Sequence, residues 1–279
     1  MKLDTRLHAF REDLADERLR GRVDARRFTK GTLRAATARV LDLHAAPDAD
    51  TGILAQAVFG ETLRVFDERD GFAWVARERD GYVGYAASDG VGERAEPTHM
   101  VVAQRTFPYR DADLKSPRRY PLSMGSLVAV SGASETRGTA YRKTSEGWIV
   151  ASHLAALETL GGDYVSHAAR LLHVPYLWGG DSGFGVDCSG LVSLAMRLAG
   201  RDVVRDSDMQ AEKLGTAIDG GDLRRGDLVF WHGHVGIMEN EETLLHANGH
   251  TMSVAREPYG QAVERIAYLY GEPTGFRRP

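Results

Sequence analysis

Between Thr37 and residue 155 the chain is a succession of short apolar runs, each cut off by a turn signal. Val65/Phe66, then Phe72, Trp74 and Val75, then Tyr82, Val83 and Tyr85 alternate as strand residues do, and the dipeptides Asp70-Gly71 and Asp80-Gly81 mark tight hairpins between them. A second series follows in HMVVAQRTFPY, SLVAVSGA and TAYRKTSEGWIVASHL. Its closing Gly147-Trp148-Ile149-Val150 echoes Gly71-Phe72-Ala73-Trp74-Val75. The pattern confines this half of the molecule to two small β-barrels of roughly 60 residues each.

The flanks read differently. Residues 1–36 are polar, carry a charge every two or three positions as far as Arg27, and suggest a helical arm lying on another domain. After residue 156 the texture is mixed. Val165, Ala168, Ala169, Leu171 and Leu172 have helical spacing that Pro175 ends, and a second helix is expected over SGLVSLAMRLAG, stopping at Gly200. GDLVFW (226–231) and HVGIME (234–239) read as adjacent strands around a turn at His232-Gly233, and TLLHANG (243–249) as a third. Helix first and antiparallel strands after is α+β order. The expected division is an arm at 1–36, barrels at 37–97 and 98–155, and an α+β domain at 156–279.

At 279 residues, several cores are expected rather than one. A net charge of −4 gives no reason to expect a nucleic acid or an anionic membrane as partner. The N-terminal segment lacks the apolar core of a signal peptide, and no stretch approaches the length of a membrane span. A reduced, cytoplasmic setting is the simplest expectation.

Cys188 is the single cysteine, so neither an intrachain disulfide nor a thiolate zinc cluster is available. It stands in GVDCSGLV, where a glycine-rich loop turns into a helix. A lone thiol is commonly a small buried hydrophobe. At a helix N-terminus it is also placed to be a nucleophile, because the helix dipole favours the thiolate and lowers the thiol pKa. His234 and His246 open one strand and sit in the next. A turn near Asn240–Glu242 would bring them onto one sheet face, within reach of a helix tip packed against it. Separately, His234 reads equally as a solvated turn residue and His246 as a half-buried strand residue.

VDCSGLV, GDLVFW, GHVGI and LLHA, in that order and preceded by PYLWGG with DSDMQ (206–210) between, resemble the NlpC/P60 cysteine peptidases of bacterial cell-wall metabolism. Paired SH3-like barrels ahead of such a domain resemble the γ-D-glutamyl-L-diamino acid endopeptidases. The resemblance implies a papain-like α+β catalytic domain with Cys188 as nucleophile, His234 as base and His246 as the residue that orients it. It implies that Asp187 and Ser189 hold the free amino end of the substrate, although both residue types also suit helix capping. Tyr176 and Trp178 fall on positions lining the cleft, and Tyr176 on an oxyanion donor; core packing is the other reading for Trp178. An acid and a tyrosine of the first barrel would complete the pocket, with Glu61 and Tyr82 as candidates and Tyr85 as the alternative.

The implied substrate is a murein tripeptide or tetrapeptide with a free N-terminal L-Ala, cut between γ-D-Glu and diaminopimelate, with no metal or cofactor required. Two other classes stay open: a peptidoglycan-binding protein with an inert third domain, and an amidase or acyltransferase using the same triad. Oligomeric state is not specified by the sequence.

Overall fold

The structure, a computed structural model, describes residues 3–279 and divides into two compact units, residues 1–158 and 159–279. The division falls three residues beyond the expected start of the α+β domain, and both strand-rich segments lie in the first unit. No helix among the described residues is long and apolar enough to cross a membrane.

The first unit is strand-rich and SH3-like. Seven strands between Thr32 and Gly92 form one sheet, and Trp74, Phe66 and Val83 bury its inner face. At Asp70-Gly71 the pair Arg69–Phe72 closes a two-residue loop with positive φ at both residues, 53° and 81°, as a type I′ turn requires. Asp80-Gly81 is not such a turn: Phe72–Arg77 and Val83–Ala87 are joined by a five-residue loop, in which the Asp80 carboxylate takes two bonds from Arg77. From His99 to Ala156 three smaller sheets enclose Val101, Leu122, Val128, Ile149 and Leu154.

Among the described residues, the helical arm expected at 1–36 is absent. Leu14–Asp16 and Arg27–Thr29 pair as parallel strands, and Thr32–Ala36 belongs to the seven-stranded sheet. The dense charges pair two residues apart, Arg6 with Asp4, Arg11 with Asp13 and Arg18 with Asp16. Helical charge pairs need spacings of three or four. Ala9 and Leu14 meanwhile pack on the barrel core beside Trp74.

The second unit is α+β. Helix α1 (Tyr164–Ala169) is capped by Asp163, whose carboxylate accepts from the N–H groups of Val165 and Ser166. Helix α2 (Cys188–Leu198) is buried along its whole length, which is why its sequence is almost entirely apolar or small. A side chain at Gly190 would put a Cβ 2.1 Å from the Gly180 carbonyl oxygen, so glycine there lets the first turn of α2 lie against the preceding loop.

A six-stranded sheet packs beside α2. Its strands are β1 (Thr216–Ile218), β2 (Leu228–Trp231), β3 (His234–Met238), β4 (Thr243–Asn248), β5 (Ser253–Pro258) and β6 (Gly275–Arg278), in spatial order β1-β6-β2-β3-β4-β5. Helix α3 (Ser207–Lys213) follows α2, and α4 (Tyr259–Tyr270) follows β5. Ala262 and Ile266 of α4 close a core with Val229, Trp231, Met238 and Leu244.

Candidate active site

Cys188 is the first residue of α2, with Asp187 as its N-cap. The Asp187 carboxylate accepts from the Gly190 N–H at 2.7 Å and the Gly179 N–H at 2.9 Å. Capping locks the helix start and leaves the N–H groups of the first turn pointing past the thiol. The thiol lies 3.9 Å from the Gly233 carbonyl oxygen, and the backbone of Val235 also donates toward the sulfur. The nucleophile is therefore seated against the backbone on both sides of His234.

His234 and His246 are brought together by strand register. Ile237 pairs with Leu245 and Met238 with Leu244, which puts the two histidines on one face of β3 and β4. His234 Nε2 is 2.9 Å from His246 Nδ1, and the rings meet edge-on at 5.2 Å between centroids. Trp231 lies against His234, 5.7 Å between centroids.

Two residues that sequence reasoning missed extend this line. His246 pairs with Ala255, so Glu257, two residues on, is diagonal to it on the same face. His246 Nε2 is 3.2 Å from Glu257 Oε2, and Arg265 of α4 donates to both oxygens of that carboxylate at 2.8 and 2.6 Å. Arg265, with His246 beside it, holds the Glu257 carboxyl down at about 2. No motif spacing connects these positions; the β4–β5 register and the return of α4 do.

Burial pushes the Cys188 thiol up to about 12, and the neighbouring Asp187 charge acts in the same direction. This reverses the expected lowering: loss of solvent and a nearby carboxylate outweigh the helix terminus. Burial, then His246 and Arg265, push His234 down to about 3. Both shifts favour the uncharged forms, the thiol at Cys188 and the imidazole at His234.

Asp187 and Ser189 are both buried and share one partner. Fully buried Arg205 donates to the two Asp187 oxygens at 2.9 and 2.7 Å and to the Ser189 hydroxyl at 2.7 Å. The Asp187 charge that was expected to meet a substrate ammonium is already met by Arg205 and two backbone donors. The capping role, weighed as the alternative, is the one the geometry displays.

Tyr176 is half-buried, and its hydroxyl is kept protonated first by burial, while negative charge at Asp187, or developing at Cys188, acts in the same direction. A protonated hydroxyl in that neighbourhood is a hydrogen-bond donor. Trp178 is 67% exposed, which excludes core packing.

In the first unit, Glu61 and Tyr82 are each only 2% exposed. Glu61 accepts from Arg79 at 2.6 Å and from the Val58 N–H at 3.2 Å. Arg77 lies over the Tyr82 ring. Both are buried and have partners within the first unit. Tyr85 is partly exposed, accepts from Arg11 at 3.2 Å and lines a cleft with Arg11 and Trp74.

Comparison with known proteins bears on this arrangement. Residues 173–267 match the NlpC/P60 family and residues 43–91 the bacterial dipeptidyl-peptidase SH3 domain. The chain is 25% identical to dipeptidyl-peptidase 6 of Lysinibacillus sphaericus over 232 residues, covering 76% of this chain and 86% of that protein. It is 28% identical to the γ-D-glutamyl-L-lysine dipeptidyl-peptidase of Bacillus subtilis over 225 residues, 71% of this chain and 73% of that one. A crystal structure of an NlpC/P60 family protein from Bacillus cereus superposes with a TM-score of 0.74 at 20% identity, covering 88% of this chain and 99% of that chain. That structure shares the fold.

Proposed function

We propose that this chain, with an NlpC/P60 domain behind a bacterial dipeptidyl-peptidase SH3 domain, is a cysteine peptidase cutting cell-wall-derived peptides between γ-D-Glu and an L-diamino acid. The observation that carries the proposal is the thiol of Cys188 at a capped helix start, against the strand whose His234 is hydrogen-bonded to His246. An inert wall-binding domain would have no use for that assembly.

The chemistry follows from the uncharged pair. As the Cys188 sulfur attacks the γ-glutamyl carbonyl carbon, its proton passes to His234, and the carbonyl oxygen becomes an oxyanion. The Cys188 backbone N–H, at the positive end of α2, and the Tyr176 hydroxyl donate to that oxygen. Collapse of the tetrahedral adduct breaks the C–N bond, and His234 passes its proton to the leaving amine. Water, deprotonated by His234, then attacks the thioester, releasing the acid and restoring the thiol. The charge separation disfavoured by burial at rest arises only while the oxyanion donors are engaged, where it lowers the barrier.

The names of the two relatives, dipeptidyl-peptidases, support release of an N-terminal dipeptide and hence a substrate with a free amino end. Murein tripeptides and tetrapeptides beginning with L-Ala fit that description, and their reuse is the role assigned. The name of the Bacillus subtilis relative specifies lysine, so the third residue is taken as diaminopimelate or lysine. A working free thiol suits a reducing cytoplasm.

The test is mass spectrometry of products from L-Ala-γ-D-Glu-meso-diaminopimelate, its L-lysine counterpart and their N-acetylated forms. Release of L-Ala-γ-D-Glu from the unblocked peptides alone is expected. Cleavage at another bond, or equal rates on acetylated peptides, refutes the assignment.

A further inference from the structure

Arg265 possesses only hydrogen-bond donors, and two of them face the Glu257 carboxylate. An ionised carboxylate only accepts, so His246 Nε2, 3.2 Å from Glu257 Oε2, must carry a proton. In its neutral form the His246 imidazole has one N–H. His246 Nδ1 is then bare and accepts, which requires His234 Nε2, 2.9 Å away, to be the donor. The proton of His234 is thereby fixed on Nε2, leaving Nδ1 without one.

We propose that Glu257, held by Arg265, is a positioning residue that sets the proton positions on His246 and His234 and so keeps His234 Nδ1 bare as the base. The proposal rests on the reading of His234 as the base for Cys188. Without a fixed acceptor at Glu257, the reversed chain is equally good locally: His246 Nδ1–H would point at a bare His234 Nε2, and His234 Nδ1 would hold the proton. In that state the base is blocked. Glu257 from β5 bonds His246, Trp231 at the end of β2 lies against His234, and the Arg265 charge on α4 acts on His234. The charges of Glu257 and Arg265 act on His234 in opposite senses. They oppose one another there, and direction of the hydrogen bonds is what the pair supplies.

Glu257→Gln is nearly isosteric and reverses this logic. Arg265 can only face the amide oxygen, so the amide NH₂ turns to His246 and forces Nε2 to accept. His246 then holds its proton on Nδ1, and so does His234. Imposing the wrong imidazole tautomer costs about 10⁴-fold in kcat when the acid contacts the base directly. Here the effect passes through one more ring, and a loss of at least about 100-fold in kcat with little change in KM is expected. Glu257→Gln combined with Arg265→Met frees the amide to turn its oxygen to His246, and should recover at least tenfold of that loss, an estimate of about 1.4 kcal/mol.

The readout independent of catalysis is ring-nitrogen NMR of histidine-labelled protein carrying Cys188→Ala. The expected spectrum has both His234 and His246 protonated on Nε2. Glu257→Gln moves both protons to Nδ1, whereas Arg265→Met alone, which keeps the carboxylate, leaves them in place. Unchanged proton positions in Glu257→Gln, or a double variant no faster than the single one, overturn the proposal. If no peptide is cleaved by any form while the NMR inversion still occurs, the peptidase assignment falls and the positioning role stands.

Discussion

Arg205 grips Asp187 with two guanidinium bonds, 2.9 and 2.7 Å long, directly behind the helix end that carries Cys188. A second acid, Asp181, stands 3.8 Å from the same fully buried guanidinium. Removing one partner of a buried pair leaves an uncompensated charge, which typically costs about 3–5 kcal/mol. Arg205→Met should therefore lower folding stability by that amount and should impair cleavage of every substrate alike. Denaturant unfolding with parallel kinetics checks this. A stable variant that merely loses preference for free amino ends would restore Asp187 to substrate recognition.

The raised Cys188 thiol gives a second outcome. Burial and Asp187 hold it protonated, so the thiolate ultraviolet absorbance, taken as wild type minus Cys188→Ala, should be nearly absent at neutral pH. It should appear only well above the range of a free cysteine, about 8.5. A full thiolate signal below about pH 7, the range of activated cysteines, would show a resting ion pair instead.

Tyr176→Phe removes one hydroxyl from a residue kept protonated first by burial and then by negative charge at Asp187 or developing at Cys188. If it donates to the oxyanion, kcat should fall by about 10²-fold, the scale for one such donor, with KM little changed. Unaltered kcat would assign the oxyanion to backbone donors alone.

Stability should also depend on pH in a definite sense. His234 is buried neutral with its value lowered to about 3, so on acidification the unfolded chain takes up its proton before the folded one. Its contribution is intact above the unfolded value, about 6.5, and is lost as pH falls from there toward the folded one. Glu257, lowered to about 2, adds a loss beginning below the ordinary carboxylate range. Melting temperatures of wild type and His234→Gln should converge, or cross, as pH drops from neutrality. Parallel curves would contradict this.

How much of this was visible in the sequence depends on the range of the interaction. Helix α2 was legible because its start at a loop of glycines, its apolar run and its stop at Gly200 are all local. The facing of His234 and His246 was legible because their even spacing across a short turn preserves face. The first 36 residues were misread because charge density resembles a helix surface until the pairs are seen to be two apart. Arg205, Glu257 and Arg265 were invisible for another reason: each meets its partner only after strands and helices have packed. Asp187 and Ser189 were named correctly as neighbours of the nucleophile, but their common partner Arg205 lies 16 residues or more away in the chain.

The most direct measurement is kcat/KM for release of L-Ala-γ-D-Glu from the unblocked tripeptide by wild type and by Cys188→Ala, with melting curves to show that the variant folds. Cys188 is the nucleophile that opens α2 in this account, so a folded Cys188→Ala protein should lose about 10⁴-fold or more. A folded Cys188→Ala protein that retains turnover within about tenfold of wild type would show that the thiol does not perform the chemistry.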